Sequence, residues 1–184
     1  MRRTFLRVLM IAALVAGGLG LGAGAAPAPA LAAYGAVKWP ATGVITSKVD
    51  DRCPGYDNHD GYDIAGNYRS VISAAYAGSV SYIGWDAGGY GNFVIITHTN
   101  GWSTLYGHLD GFVSRMRVGE YFNRGDGIGY MGYTGGVSPP GIGGTHLHFE
   151  MLRYDSPQVW NSAGTCGQSV SRGSSIPFDF AGLN

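Results

Sequence analysis

The sequence contains little charge, and neither sign predominates. Only 13% of its 184 residues are charged, with 12 lysines and arginines against 12 aspartates and glutamates. Three of the basic residues, Arg2, Arg3 and Arg7, lie close to the amino terminus. Without them the chain has 9 basic and 12 acidic residues, a net charge of −3. Because nucleic-acid-binding proteins usually present a basic surface, this balance argues against a nucleic-acid partner.

Cysteine is also scarce, and no long helical pattern is present. The two cysteines, Cys53 and Cys166, are too few and too far apart for a closed structural zinc site made of thiolates. No segment sustains a helical repeat beyond about two turns. The 32 glycines and 12 tyrosines are instead typical of short strands joined by turns. The sequence therefore predicts an all-β domain with mostly antiparallel sheets.

The first 33 residues are predicted to be a cleavable signal peptide. A positive start is followed by an apolar run from Val8 to about Ala26, and Ala30-Leu31-Ala32 provides a small-x-small cleavage site. A retained membrane anchor is the alternative. The start resembles a twin-arginine signal without the usual Ser or Thr before Arg2, so Sec and twin-arginine export both stay open. We expect a secreted or cell-envelope protein with no membrane association after cleavage.

An exported protein meets conditions that permit disulfide bonds. Cys53 and Cys166 are the only pair in the chain. The sequence therefore predicts a disulfide between them, with two isolated thiols as the alternative.

Short runs rich in Val, Ile, Tyr and Thr predict the strands. The runs span residues 44–47, 71–75, 78–85, 92–99, 103–108 and 128–132. Glycine-rich residues 88–91 and the pair Asn100-Gly101 are turn signals between some of them. Residues 113–118 are compatible with a strand or with one helical turn. We expect the main domain to span residues 34–153, with residues 154–184 as an irregular carboxyl-terminal wrap of the same domain.

One predicted strand, centred on His146-Leu147-His148-Phe149-Glu150, has strictly alternating character. The two histidines and Glu150 share one face, and Leu147 and Phe149 share the other. Two imidazoles on one face can act together, one as a metal ligand and its neighbour beside whatever the metal polarises. A plain polar strand face is the alternative, so the interpretation depends on further ligands elsewhere in the chain.

Such ligands are present earlier in the sequence. His59 and Asp63 are four residues apart and share a face, and together with His148 they give two imidazoles and one carboxylate. A zinc ion held by three such ligands keeps a fourth position open for water, which is the pattern of a catalytic site. His108 and His146 then remain for acid-base chemistry. The fifth histidine, His98, is expected to be a structural residue at a strand end.

Three motifs in order resemble those of the lysostaphin-like (LytM-type) zinc metalloendopeptidases, which act on peptidoglycan. His59-x-x-x-Asp63 matches the first metal motif of that family, and the segment from His146 to Glu150 matches the second. Tyr106-Gly107-His108-Leu109 matches the catalytic histidine segment between them. The resemblance covers residues 37–153. It implies a duplicated-hybrid-motif or LytM-like peptidase domain, with antiparallel sheets and a groove.

The resemblance also implies a chemistry. His59, Asp63 and His148 would hold one zinc ion per chain, and His108 and His146 would be the catalytic residues, their individual roles unassigned. The expected function is that of a secreted zinc metalloendopeptidase that hydrolyses peptide cross-links of bacterial cell-wall peptidoglycan through a zinc-activated water. Its partners would be peptidoglycan peptide stems or bridges, and we expect a monomer. Glu150 is expected either to support a metal ligand or to be a solvated strand end.

Two other functions are weighed against this one. The first is a catalytically silent LytM-like binding or regulatory module of the cell wall, although all five chemical positions are filled here. The second is a sugar-phosphotransferase carrier domain, which has a similar β fold but is cytoplasmic. The loop before His146 is longer than is usual in the family, which leaves the bond that is cut open.

Overall fold

The computed structural model describes residues 37–49, 53, 59–99, 101–154, 156–157 and 164–176. The chain divides into two units, Met1–Ala32 and Ala33–Asn184, and all described residues belong to the second. The predicted signal peptide, residues 1–33, thus lies outside the described residues, as does most of the loop before His59. No helix in the described part of the chain is long and apolar enough to cross a membrane.

The described residues form one antiparallel sheet of 11 strands. The strands are β1 (Gly43–Ser47), β2 (Tyr62–Ala65), β3 (Val71–Ser73), β4 (Gly78–Asp86), β5 (Gly91–Thr97), β6 (Trp102–Phe112), β7 (Tyr121–Phe122), β8 (Gly127–Met131), β9 (His146–Arg153), β10 (Ser156–Pro157) and β11 (Ser169–Val170). The main order is β11-β1-β2-β9-β6-β5-β4-β7, while β8 pairs with β3 and β6, and β10 pairs with β9. The predicted all-β, antiparallel class is confirmed.

The structure differs from the sequence-based strands in a few places. Strand β6 has 11 residues, because it continues past His108 to pair with β8. Residues 113–118 form turns, so both the predicted strand and the predicted helical turn are wrong. The two-residue strands β7, β10 and β11 are too short to show an alternating pattern of their own. A single 3-10 turn, Gly141–Gly144, precedes β9.

Strand β9 lies between β2 and β6, and its apolar face belongs to the core. Leu147, Phe149 and Met151 are completely buried, which confirms the predicted alternation. The ring of Tyr106 on β6 packs against Phe149, with 5.4 Å between centroids. Full burial of each large apolar side chain contributes about 1.5–3 kcal/mol. This packing fixes the strand whose opposite face carries His146, His148 and Glu150.

His98 lies just after β5 and belongs to a buried polar network. Its Nδ1 lies 3.0 Å from the Ala77 carbonyl oxygen, and its Nε2 lies 2.9 Å from the Thr104 hydroxyl. That hydroxyl bonds to the Tyr106 hydroxyl, which accepts the backbone N–H of Ala75. Because the carbonyl can only accept, Nδ1 carries the proton and the neutral imidazole satisfies the network.

Burial lowers the pKa of His98 from 6.5 to about 4, despite the hydrogen bond to Ala77. The unfolded chain therefore takes up a proton more readily than the folded one, so this group's contribution to stability is complete above pH 6.5 and is lost as the pH falls towards 4. We expect the wild type to lose about 2–3 kcal/mol more than His98→Gln between pH 7 and 4.5. Urea unfolding at both pH values measures this difference, and identical losses in the two proteins would contradict it.

The segment of residues 164–176 packs against the start of the domain. Strand β11 pairs with β1, and the Trp39 backbone N–H donates to the Ser174 carbonyl at 2.9 Å. A disulfide joins Cys53 to Cys166, with 5.7 Å between their Cα atoms. The predicted disulfide is confirmed, and it ties this segment to the chain that leads to His59.

The Cys53–Cys166 bond joins residues 113 positions apart. Chain-entropy models assign roughly 4–5 kcal/mol to the closure of a loop of this size, mostly by restricting the unfolded chain. We expect a Cys53→Ser/Cys166→Ser double variant to lose free energy of unfolding on this scale. Denaturant titration of the oxidised wild type and of the double variant tests this, and wild type titrated in the presence of a reductant is the matched comparison. Equal stability of the oxidised wild type and the double variant would refute it.

Candidate active site

Three strands and one loop bring the chemical residues together. Asp63 on β2 is directly paired with His148 on β9, and Gly107 on β6 is paired with His148 from the other side. Directly paired residues project to the same face of a sheet, so the Asp63 carboxylate and the His148 ring meet. His59 precedes β2 by only a few residues and approaches the same point from the loop.

The side chains of His59, Asp63 and His148 converge in a buried cluster. The Nε2 atom of His59 lies 3.1 Å from Asp63 Oδ1 and 3.1 Å from His148 Nδ1, and Asp63 Oδ1 lies 2.9 Å from His148 Nδ1. All three residues are at least 94% shielded from solvent. Two imidazole nitrogens and one carboxylate oxygen are the donor types that a zinc ion takes in a catalytic site.

The remaining ring nitrogens of the two histidines have partners that fix their tautomers. His59 Nδ1 lies 3.1 Å from the Lys48 carbonyl oxygen, and His148 Nε2 lies 2.8 Å from Glu150 Oε1. A carbonyl or a carboxylate can only accept, so these nitrogens carry the protons. Where no further proton is bound, His59 Nε2 and His148 Nδ1 direct lone pairs at the Asp63 oxygen. Three electron-rich atoms at this spacing require a proton or a cation between them, so the residues fit a metal ion.

The charges around the cluster also favour a cation. Burial alone would raise the pKa of Asp63, but when a proton rather than a metal occupies the cluster, hydrogen bonds from His148 and His59 lower this pKa well below 3.8. Burial alone would lower the pKa of His148, but Asp63 and Glu150 raise it to about 10. The two carboxylates thus give this pocket a strong preference for positive charge, which either a proton or a divalent metal can supply.

A second layer holds Glu150 in place. The Tyr90 hydroxyl donates to Glu150 Oε1 at 2.6 Å, and Glu150 is 1% exposed. Burial and the Glu150 charge raise the pKa of Tyr90, so its hydroxyl keeps its proton. Carboxylates that accept a hydrogen bond from a ligand histidine orient its ring and increase its basicity. Of the two expectations for Glu150, support of His148 is the one the structure bears out, and a solvated strand end is wrong.

His108 and His146 lie side by side next to the cluster, with 4.5 Å between ring centroids. His108 Nδ1 lies 2.8 Å from the Thr134 carbonyl oxygen, and His146 Nδ1 lies 2.7 Å from the Gly144 carbonyl oxygen. Each ring therefore donates through Nδ1 and keeps a lone pair on Nε2. His146 Nε2 is 3.6 Å from Asp63 Oδ1, so this lone pair borders the cluster.

Both histidines are neutral at ordinary pH. Burial, with some repulsion from His146, lowers the pKa of His108 to about 4. Burial also lowers the pKa of His146, although the nearby Asp63 charge opposes it. The site therefore combines a cation-binding cluster with two unprotonated imidazoles, an arrangement that can accept protons from a nucleophile.

His108 reaches the site because β6 departs from regular strand geometry. Its φ is +59°, in the left-handed region, and the register with β5 shifts between Asn92 and Val94, so that β6 has one extra residue where His108 lies. Since Gly107 shares the face of His148, regular alternation would turn His108 towards the opposite face. The left-handed conformation costs roughly 1–2 kcal/mol in an L-residue. Strain of this kind is concentrated at functional sites.

The structure brings together all five residues that the sequence selected as ligands or acid-base groups. The fifth histidine, His98, lies apart from them in the network with Ala77 and Thr104. Neither Tyr90 nor Thr134 is among the site residues that the sequence predicts. Thr134 accepts from His108 through its carbonyl, and its hydroxyl accepts the Asn92 N–H at 3.0 Å. Backbone acceptors leave no mark in a sequence, so only the folded chain reveals these partners.

The comparisons with known proteins identify a family. Residues 57–160 match the sequence profile of peptidase family M23. The chain belongs to peptidase family M23. This span contains all five residues of the site, and the resemblance to the lysostaphin-like enzymes is confirmed.

Two named bacterial proteins are similar in sequence to the M23 domain. It is 34% identical over 129 residues to the cell division protein DipM of Caulobacter vibrioides, covering 70% of this chain and 20% of DipM. It is 33% identical over 128 residues to the murein hydrolase activator NlpD of Salmonella typhimurium, covering 70% of this chain and 31% of NlpD. The chain thus spans a third or less of each of these proteins.

Solved structures of the M23 type resemble the domain as well. A zinc-containing peptidase from Vibrio cholerae superposes with a TM-score of 0.57 and 28% identity, over 68% of this chain and 39% of that one. The catalytic domain of the prophage-encoded M23 protein EnpA from Enterococcus faecalis superposes with a TM-score of 0.53 and 28% identity, over 70% of this chain and 87% of that one. The fold is therefore M23-like, and its sheet is open rather than closed.

Proposed function

We propose that this M23 domain is a secreted zinc metalloendopeptidase that hydrolyses peptide cross-links of bacterial peptidoglycan. His59, Asp63 and His148 hold one zinc ion, and His108 and His146 are the catalytic residues. The observation that carries the proposal is the convergence of three lone-pair donors in a buried pocket beside two neutral imidazoles. The Vibrio cholerae structure, a zinc-containing peptidase by name, supports the choice of metal.

The metal ion and the side chains would contribute different parts of the reaction. When bound, zinc supplies Lewis acidity, which makes water nucleophilic near neutral pH and polarises an amide carbonyl. The lone pair on His146 Nε2 or His108 Nε2 accepts the proton that the attacking water loses. The resulting imidazolium can pass that proton to the leaving amine, or it can stabilise negative charge on the carbonyl oxygen.

The backbone carbonyls of Thr134 and Gly144 contribute to this step. They accept from Nδ1 of His108 and His146, and so they keep each Nε2 free in the resting state. When an imidazole gains a second proton, the same carbonyls stabilise the charged ring. The loop before His146 thereby has a role in catalysis besides any role in binding substrate.

Digestion of purified peptidoglycan tests the proposal. We expect the mature protein to release new amino termini without new reducing sugar ends, because glycan cleavage generally requires paired carboxylates beside the sugar. Mass spectrometry of the released fragments identifies the bond. Protein treated with a chelator and then with zinc is the internal control. New reducing ends without new amines would mean that the reaction class is wrong.

The alternative is a catalytically silent cell-wall module that regulates another enzyme. The relationship to a murein hydrolase activator favours it, because NlpD carries that name. The complete set of five chemical residues favours the enzyme. A protein that binds zinc stoichiometrically, leaves purified peptidoglycan intact and stimulates a separate hydrolase would establish the alternative.

A further inference from the structure

Three aromatic side chains form a continuous path away from the candidate active site. Tyr90 contacts His148 with 5.4 Å between ring centroids, Phe93 contacts Tyr90 at 5.5 Å, and Tyr82 contacts Phe93 at 5.5 Å. We call Tyr82, Phe93 and Tyr90 the aromatic strip. Nothing in the proposed chemistry requires a path of this kind, because the metal ligands and the two imidazoles are already complete without Phe93 and Tyr82.

The strip lies on the face of the sheet that carries the site. Tyr82 is paired with Ile95, Ile95 with Leu105, and Leu105 with Glu150. Paired residues point to one face, so Tyr82 projects to the same side as Glu150. The opposite face carries the core, including the buried Val94. The strip is therefore a lateral extension of the site along β5 and β4.

The two outer rings lie against the sheet rather than standing away from it. A Cβ atom placed on Gly84 would lie 2.5 Å from a ring carbon of Tyr82 and 2.6 Å from two ring carbons of Phe93. Both rings thus occupy the space above Gly84, which no other residue type would leave free. Tyr82 is nevertheless 50% exposed. The result is a flat, uncharged surface at the outer end of the strip.

The length of the strip can be compared with the length of a short extended peptide. The three ring-to-ring steps put Tyr82 no farther from His148 than an extended peptide of roughly four to five residues reaches, at about 3.3–3.6 Å a residue. In peptidoglycan, a stem peptide of this length separates a cross-link from the sugar to which the stem is attached. A sugar would therefore reach Tyr82 when a cross-link lies at the metal cluster.

We propose that the aromatic strip is a binding subsite for a sugar ring of the peptidoglycan glycan strand, centred on Tyr82. The face of an aromatic ring is electron-rich and attracts the polarised C–H groups on one side of a pyranose ring. This inference rests on the proposed function for its substrate. It adds that the enzyme recognises the strand beside the peptide that it cuts.

A purely structural role is the competing explanation for Tyr82. Aromatic side chains over a strand glycine can stabilise the sheet without binding anything. Binding measurements separate the two roles, and Trp85 provides a matched control. It lies on the same strand, is 61% exposed, and projects to the face opposite Gly84 by strand alternation.

The test uses the mature protein, with a soluble oligomer of N-acetylglucosamine as the sugar probe. Calorimetry compares wild type with Tyr82→Ala, Tyr82→Phe and Trp85→Ala. We expect Tyr82→Ala to bind the oligomer roughly threefold to tenfold more weakly, as the loss of one aromatic contact predicts. Tyr82→Phe and Trp85→Ala should bind like wild type. Tyr82→Leu replaces Tyr82→Ala if the latter does not fold.

A second arm measures kcat/KM for cross-linked stem peptides with and without attached sugars. Tyr82→Ala should lower kcat/KM for the substrate with sugars, relative to kcat/KM for the substrate without them, by the same threefold to tenfold. Equal losses on both substrates, or a wild type that cuts cross-links without binding the oligomer, would overturn the subsite. A wild type that binds the oligomer through Tyr82 but cuts neither substrate would support the subsite and overturn the proposed hydrolase.

Discussion

His148→Ala is expected to reduce bound zinc from one ion per chain to almost none, and to reduce hydrolysis to background. The variant removes one of three donors and leaves the Asp63 carboxylate without its shortest partner, at 2.9 Å. It also removes the ring that links the cluster to Glu150. Three protein ligands are already the minimum in catalytic zinc sites, so two should not retain the ion.

Elemental analysis of protein purified without added metal measures the effect. His98→Gln is the matched control, because it replaces a buried histidine that bonds to Ala77 and Thr104 rather than to the cluster. It should keep one zinc ion per chain at pH 7. Thermal unfolding of both variants shows whether each is folded. Equal zinc content in His148→Ala and wild type would remove His148 from the ligand set.

His146→Ala and His108→Asn are expected to bind zinc normally and to lose most of their activity. Each removes one neutral Nε2 lone pair beside the cluster while leaving the three donors intact. General acid-base groups usually contribute about 10²–10⁴-fold to the rate. We expect losses in this range in kcat, with smaller changes in KM, because the imidazoles take part in proton transfer in the transition state rather than in substrate binding.

Asparagine is the better replacement at position 108. The backbone there has a φ of +59°, which asparagine tolerates more readily than alanine. His108→Asn therefore removes the proton acceptor with little added backbone strain. A Thr134→Ser variant keeps the carbonyl that accepts from His108 Nδ1 and serves as a control for changes in this loop. Near-wild-type turnover in either histidine variant would exclude that residue from catalysis.

Much of the site could be read from local sequence because its signals are local. The alternation of His146, Leu147, His148 and Phe149 assigns faces within one strand, and the apolar face is buried as expected. The spacing of His59 and Asp63 let both side chains reach one point, and their Nε2 and Oδ1 atoms are 3.1 Å apart. Residue types then limited the chemistry, since imidazole and carboxylate donors without nearby cysteine favour a catalytic zinc site.

Assembly of the site required the folded chain. His59 and His148 are 89 positions apart, yet their nitrogens are separated by 3.1 Å because β2 pairs with β9. No local pattern encodes which strands become neighbours, since pairing depends on the packing of the whole sheet. The same limit explains why β11 and its pairing with β1 were not predicted from residues 154–184.

The sequence by itself determined the antiparallel β class and the cysteine pair, and it selected the five candidate site residues, because alternation, residue type and count are properties of the chain. The tertiary structure decided where His108 points, since its left-handed backbone and the register shift between β5 and β6 reverse its strand face. It also decided the tautomers, because the acceptors are the carbonyls of Lys48, Thr134 and Gly144. A backbone carbonyl is present at every position and becomes specific only when folding brings one to a ring nitrogen.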